Sequence, residues 1–451
     1  MKKRTFLKTS GVLMAGSSLL PVVAADDDQQ EVPRKNWAGN LTYSASGLSK
    51  PSRYADLQRV VREQAYVKVL GSRHSFNSIA DTVHQHLSLE NIDGVIQVNE
   101  HDLSVRVHGA IKYGVLASAL NQKGFALHNL ASLPHISVAG ACATATHGSG
   151  DNNGNLASAV TGLELLSADG GRISLSMDSD SREFEGMVVH LGALGIVEYL
   201  TLRIEPTFQV CQFVYEALPL RSLSDHFEEI FSSAYSVSLF TDWQGQRVNQ
   251  VWQKVRIHNM QIPRVAEEYF GAKLAGGHLH PIREISPLNC TEQMGLPGPW
   301  HERLPHFKME FTPSSGEELQ SEYFIPRKHA VEAIHAMYGM GEEIYPYLLI
   351  SEIRSIASDA LWMSPAYKQD VIALHFTWKP DWPNVQKILP KIENRLKPFG
   401  VRPHWGKLFT LQPSEIQAQY ERMDDFRNLV KNLDPKGKFR NEFLAKYLGT
   451  Q

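Results

Sequence analysis

The stretch from Ala131 to Gly150 reads Ala-Ser-Leu-Pro-His-Ile-Ser-Val-Ala-Gly-Ala-Cys-Ala-Thr-Ala-Thr-His-Gly-Ser-Gly. Small residues dominate it, with hydroxyls interspersed. It is unusually apolar for a long surface loop. Small side chains let a backbone press against a flat or extended ligand, which is the alternative to a loop. A second segment, Val69-Leu70-Gly71-Ser72-Arg73-His74-Ser75-Phe76-Asn77, follows a short apolar strand signal. Consecutive backbone N–H groups in such a turn form a concave anion site, and Ser72, Ser75 and Asn77 add donors. By residue type alone His74 is a turn residue, a phosphate contact or an attachment point. Neither G-x-G-x-x-G nor G-x-x-x-x-G-K-[ST] occurs. A third, weaker piece is the glycine turn His190–Val197, which feeds a strand.

The elements around these segments alternate. Pro51–Gln64 and Tyr113–Lys123 carry apolar residues at helical spacing, the second stopped by Gly124. Ala65–Leu70, Val95–Val98 and Ser104–Val107 read as strands. Leu163–Ala168 and Ile173–Ser176 flank Asp169-Gly170-Gly171 as a hairpin. Ile196–Ile204 alternates as a half-buried strand does. Beyond Cys211 aromatics become dense. Strands are expected at Lys254–His258, Phe307–Phe311, Leu348–Ser355 and Ile372–Trp378, with helices at His329–Tyr338 and Trp382–Leu396. The tail from Pro413 to Leu448 is helical, broken at Asp434-Pro435-Lys436-Gly437. The fold class is α+β: a first lobe over 36–206, a second over 207–400 built on an antiparallel sheet with flanking helices, and a C-terminal segment over 401–451.

A chain of 451 residues is too long for one ordinary core. Its net charge of −3 gives no electrostatic footprint for nucleic acid or an anionic membrane. Residues 1–25 read as an export signal, with Lys2, Lys3 and Arg4 before an apolar stretch from Gly11 to Val23 and small residues at Ala24 and Ala25. That stretch is too short and interrupted for a stable membrane span. Lys3-Arg4-Thr5-Phe6-Leu7-Lys8 is similar to a twin-arginine signal with lysine in place of the first arginine, and ordinary secretion stays open. A polar linker follows over 26–35. Localisation is therefore expected to be periplasmic or secreted. Cys142, Cys211 and Cys290 give no disulfide framework, and no cluster argues for a metal.

The second lobe offers polar side chains in strand-like spacing. Glu352 and Arg354 are two apart and so share a face, as do His375 and Thr377. Glu352 and Arg354 form either a plain ion pair or a pair that also bonds a ligand. Pro403-His404-Trp405-Gly406-Lys407 is a tight turn holding either a solvated lysine or a buried, tuned one.

Together these segments resemble the vanillyl-alcohol-oxidase superfamily of FAD-linked oxidases, and within it the alditol oxidases, near relatives of the aldonolactone oxidases. The similarity runs from about Asn36 to Leu448 and includes Asn36-Trp37-Ala38-Gly39-Asn40, Ala131–Gly140, Asn289-Cys290-Thr291-Glu292-Gln293, Pro299-Trp300-His301-Glu302-Arg303 and His404-Trp405-Gly406-Lys407. The resemblance implies FAD attached covalently through His74. It places cofactor contacts at Val69, Leu70, Gly71, Ser72, Arg73, His74, Ser75, Ser132, Ser137, Gly140, Thr144, Ala145, Thr146, His147, Ile196 and His404. Where this chain has Arg73, many members carry glycine. Some relatives add a second link through a cysteine near the match to Ser132-Leu133-Pro134, and none stands here, so one link is expected. The resemblance also promotes Ser132, Glu352, Arg354, Thr377 and Lys407 to a polyol site, with Lys407 and Arg354 catalytic. The expected partners are a small polyol and dioxygen; the sequence leaves the oligomeric state open, with a monomer favoured. Alternatives are an aldonolactone oxidase, a polyol dehydrogenase using another acceptor and, remotely, a periplasmic sugar-binding protein without redox chemistry.

Overall fold

A computed structural model describes residues 33–257, 261, 263–310 and 317–449. The expected export signal lies outside the described residues. The segment from Gly47 to Arg203 builds two sheets. The smaller is parallel, with Gln85–Leu87 between Gly47–Ser49 and Val67–Val69. The larger is five-stranded and antiparallel, in the order Ile96–Asn99, Ser104–His108, Ile196–Arg203, Val160–Leu166, Arg172–Ser176. The hairpin closes where Gly170 sits at φ +82°, a left-handed turn that glycine adopts without strain. Ile196–Arg203 was expected to be half-buried. It is the central strand and is buried on both faces over most of its length, because helices and the neighbouring loops cover the side that alternation assigned to solvent.

From Gln209 to Pro403 the strands join one ten-stranded antiparallel sheet. Its central order is Gln209–Pro219, Arg247–Ile257, Ser236–Thr241, Leu348–Ile356, Val371–Trp378, Leu319–Pro326. Residues of opposite parity on these strands do different work. Leu239, Val251, Tyr323, Ile325, Ile353, Leu374, Phe376 and Trp378 face the apolar core, which also holds side chains of the five-stranded sheet. The helix Trp382–Leu396 packs there through Val385, Ile388, Leu389, Ile392 and Leu396, the spacing of one helical face. Each such fully buried large apolar side chain contributes roughly 1.5–3 kcal/mol. The other parity is mixed and also buried: beside apolar clusters around Trp252 and Phe324, Glu322, Glu352, Arg354, His375 and Thr377 form the floor of a cavity.

The expected strand at Phe307–Phe311 is not formed. Only Phe307 bridges, to Cys290; residues 308–310 leave the sheet and Phe311 lies outside the described residues. Its alternation of apolar and charged residues mimics a strand, but the preceding segment is bound instead to the 131–147 segment, through His306 N–H and the Ser132 carbonyl at 3.2 Å. The strands Gln209–Pro219, Ser236–Thr241 and Leu319–Pro326 were not anticipated. All three cysteines are free and buried. Among the described residues no helix is long and apolar enough to cross a membrane.

Candidate active site

A cavity of about 520 Å³ runs between the 69–76 loop, the 131–147 segment and the polar face of the large sheet. At one end the strand Val67–Val69 delivers Leu70, whose N–H bonds the Leu87 carbonyl at 2.8 Å, and the chain then turns at Gly71. A Cβ at Gly71 or at Gly140 would lie 2.8 Å from Ser137 Oγ, so a side chain at either position requires Ser137 to move. Ser72 Oγ accepts from Ser137 N–H at 3.2 Å and joins the two small-residue segments. His74 stacks on Trp37, with ring centroids 5.0 Å apart and planes inclined by 19°. Its Nδ1 donates to the Ser72 carbonyl at 3.0 Å, and its Nε2 is buried without a partner. Burial, against the opposing Ser72 bond, holds the ring down at about 4, so it is neutral at neutral pH.

At the other end three neighbouring strands place Glu322, His375 and Glu352 directly opposite one another. Such partners have Cβ atoms about 5 Å apart. Glu322 is 1% exposed. Its Oε1 accepts from Arg354 Nη2 at 2.8 Å and its Oε2 from Lys407 Nζ at 2.8 Å. Burial raises the Glu322 pKa, but Lys407, His147 and Arg354 outweigh it and hold the carboxyl well below its usual range. Burial likewise opposes ionisation of Glu352, and Arg354 and His306 outweigh it. Lys407 Nζ also lies 2.7 Å from His375 Nδ1, and His375 Nε2 donates to Thr377 Oγ1 at 3.0 Å. Burial pulls the Lys407 pKa down against the pull of Glu322. Burial and the Lys407 charge bring His375 to about 4. Arg354 Nη1 donates to Ser132 Oγ at 3.2 Å.

The turn that carries Lys407 is fastened to the His74 loop. Phe76 N–H bonds the Gly406 carbonyl at 2.8 Å, and Asn77 Nδ2 reaches the carbonyls of Trp405 and Lys407 at 2.9 and 2.7 Å. His404 N–H bonds the Glu322 carbonyl at 2.9 Å. His147 Nδ1 donates to the Gly148 carbonyl at 2.8 Å, and its Nε2 lies 3.2 Å from Glu322 Oε1, outside hydrogen-bond alignment.

The cavity wall therefore includes the expected Val69, Leu70, Gly71, Ser72, Arg73, His74, Ser75, Ser132, Ser137, Gly140, Thr144, Thr146, His147, Glu352, Arg354, Thr377, His404 and Lys407. Ile196 is elsewhere, in a small core with Leu57, Val61 and Val67. Ala145 is buried in the main core beside the wall, at φ +54°. Sequence reasoning missed Glu322, and it missed His306 and Lys254 behind Glu352. The signal for Glu322 was a single carboxylate in the otherwise uncharged strand Leu319–Pro326.

A long cavity with a small-residue cradle, a buried unpartnered imidazole nitrogen and a charged pocket at its far end fits an extended cofactor of the FAD kind. The fold, this cavity and the similarities to known proteins together define an FAD-dependent oxidoreductase acting on CH–OH groups. The FAD binding domain family matches residues 45–176, and the D-arabinono-1,4-lactone oxidase family matches residues 314–447. An alditol oxidase from Streptomyces sp. is 45% identical over 92% of this chain and 98% of its own length. Mouse L-gulonolactone oxidase is 25% identical over 91% of this chain and 97% of its own. A cholesterol oxidase from B. sterolicum shares the fold, with a TM-score of 0.72 at 15% identity, covering 92% of this chain and 96% of that one. The chain belongs to the alditol oxidase and aldonolactone oxidase family of the vanillyl-alcohol-oxidase type.

Arg73 has a physical account. It sits at φ +63°, where glycine is unstrained and other residues cost on the order of 1 kcal/mol. Its carbonyl accepts Trp37 N–H at 2.8 Å, and its guanidinium bonds the Lys35 carbonyl at 3.4 Å. Arg73→Gly is expected to keep flavin incorporation and to change stability by less than about 1 kcal/mol, in either direction. Thermal unfolding with the flavin absorbance checks this; loss of flavin would give the side chain a role at the cofactor.

Proposed function

We propose that the protein is an exported alditol oxidase. It converts the terminal CH₂OH of a polyol of the xylitol or sorbitol kind to the aldehyde of the aldose, and two electrons and two protons pass to dioxygen to give hydrogen peroxide. FAD is joined covalently to a ring nitrogen of His74. The observation that carries this reading is the charge balance of the cavity's polar end. Arg354 and Lys407 face Glu322 and Glu352 in a buried cluster whose histidines are neutral. The buried groups that face the cavity there thus balance in charge, and they offer directed donors and acceptors for hydroxyls.

FAD, when bound, supplies the two-electron acceptor for the hydride. Lys407 and Arg354 orient the reacting hydroxyl, while Glu352, Thr377 and Ser132 hold the others. Lys407 Nζ, 2.7 Å from His375 Nδ1, can give that neutral ring a proton as it takes the one leaving the reacting hydroxyl. Glu322 keeps both cations in place. Positive side chains here also favour the negative charge of a reduced flavin. The basic and apolar N-terminal segment supports export.

In air, xylitol or sorbitol is expected to yield peroxide and aldose in equal amounts. Acid-precipitated protein should stay yellow, because His74 keeps the flavin. Preferred turnover of an aldonolactone, or reduction of a dye without peroxide, would replace the substrate or the acceptor in this reading. Colour left in the supernatant would remove the covalent link.

A further inference from the structure

Behind Glu352, on the side away from Lys407, the strand Arg247–Ile257 carries a lysine that no step above uses. Lys254 is 1% exposed. Its Nζ donates to the carbonyls of Leu304 and Pro305, at 2.5 and 3.1 Å, and lies 3.0 Å from His306 Nδ1. Burial pulls the Lys254 pKa down to about 7; in its ammonium form Lys254 has three hydrogens, and these three acceptors use them all. His306 Nδ1 is then a lone pair, so the ring proton is on Nε2, and Nε2 donates to Glu352 Oε1 at 2.7 Å. The ring is held edge-on by Phe240 and Trp252, with centroids 5.4 and 5.3 Å away. Among the described residues no donor is found on Glu352 Oε2, although Glu352 lines the cavity.

We infer that Lys254 and His306 are positioning residues for hydroxyl recognition. Lys254 sets the His306 tautomer, and His306 ties down one oxygen of Glu352 so that the other is presented to a substrate hydroxyl. This rests on the reading of Glu352 as a polyol-binding residue. The two amides that mimic the two ring nitrogens test it. His306→Gln places an N–H where Nε2 stands and keeps the bond to Glu352. His306→Asn reaches only the Lys254 side. With xylitol, His306→Asn is expected to raise KM by roughly ten- to hundredfold, the value of a hydrogen bond to a charged group, with kcat within about threefold. His306→Gln is expected to stay within about threefold of the unmodified enzyme in both. Lys254→Met is expected to behave as His306→Asn does. Flavin content and melting temperature are recorded for each variant, and if Lys254→Met does not take up flavin, the two His306 variants decide alone. Equal KM values in the Asn and Gln variants, both normal or both raised, would overturn the inference. Failure of the unmodified enzyme to oxidise any polyol would instead overturn the functional reading.

Discussion

A Lys407→Ala variant is expected to keep its flavin and to lose polyol-driven flavin reduction by about 10²–10⁴-fold, the usual value of a positioned acid–base group. The flavin stays because the segments assigned to it, 69–75 and 137–147, do not depend on the Lys407 side chain. The turn is anchored through backbone carbonyls, with Asn77 bonded to those of Trp405 and Lys407. The rate falls because two functions leave together: the donor that fixes the reacting hydroxyl, and the entrance to His375 Nδ1. Lys407→Met keeps the volume and should fail alike, which separates chemistry from packing. Rapid mixing of variant and xylitol without oxygen, followed at the flavin band, reads the step directly. Near-normal reduction would remove Lys407 from the active site.

Replacing Glu322 has the largest expected effect on stability. Glu322→Leu leaves Arg354 and Lys407 without their shared counter-ion, and breaking a buried pair from one side costs about 3–5 kcal/mol. Activity should fall as well, because both cations lose their orientation. Glu322→Gln keeps the shape and an acceptor and should be milder. The pH dependence follows from the same groups. The folded-state pKa values of Glu322 and Glu352 are depressed, so their contribution is fully present above the ordinary glutamate value of 4.5 and is lost as pH falls through the folded values. His306 and His375 are held at about 4 against 6.5 when unfolded, so the unfolded chain binds more protons in that window. The contribution of these four groups to stability should therefore begin to drop below about pH 6.5 and steepen below about 4.5. Chemical denaturation across this range measures the slope. A Glu322→Leu protein as stable as the parent at pH 7 would contradict the buried-pair account.

The parts that could be read from residues alone are local ones. A short apolar strand running into Gly71, and the small-residue run to Gly150, are each contiguous, and the structure puts both on one cavity. The same-face pairs Glu352 with Arg354 and His375 with Thr377 follow from strand parity, and the side chains do meet, at 3.5 and 3.0 Å. Glu322 was not legible, because its meaning depends on register. It lies opposite His375, which lies opposite Glu352, and these strands are brought together only by the folded sheet. The alternation of Val371–Trp378 was ambiguous for a related reason. A polar strand face ordinarily marks solvent, and here it marks a buried cavity. His306 sat just before a segment whose alternation promised a strand that does not form. Arg73 was legible as an oddity, and the left-handed φ explains why glycine suits that position.

The central claim is that a polyol delivers its electrons to a flavin held in this cavity. Anaerobic mixing of the purified protein with excess xylitol or sorbitol tests it most directly. The account predicts bleaching of the flavin band at a rate that saturates with polyol, one aldose formed per flavin, and return of the yellow colour with peroxide when air is admitted. A flavin that stays oxidised with every polyol, or that bleaches only with an aldonolactone, would contradict it.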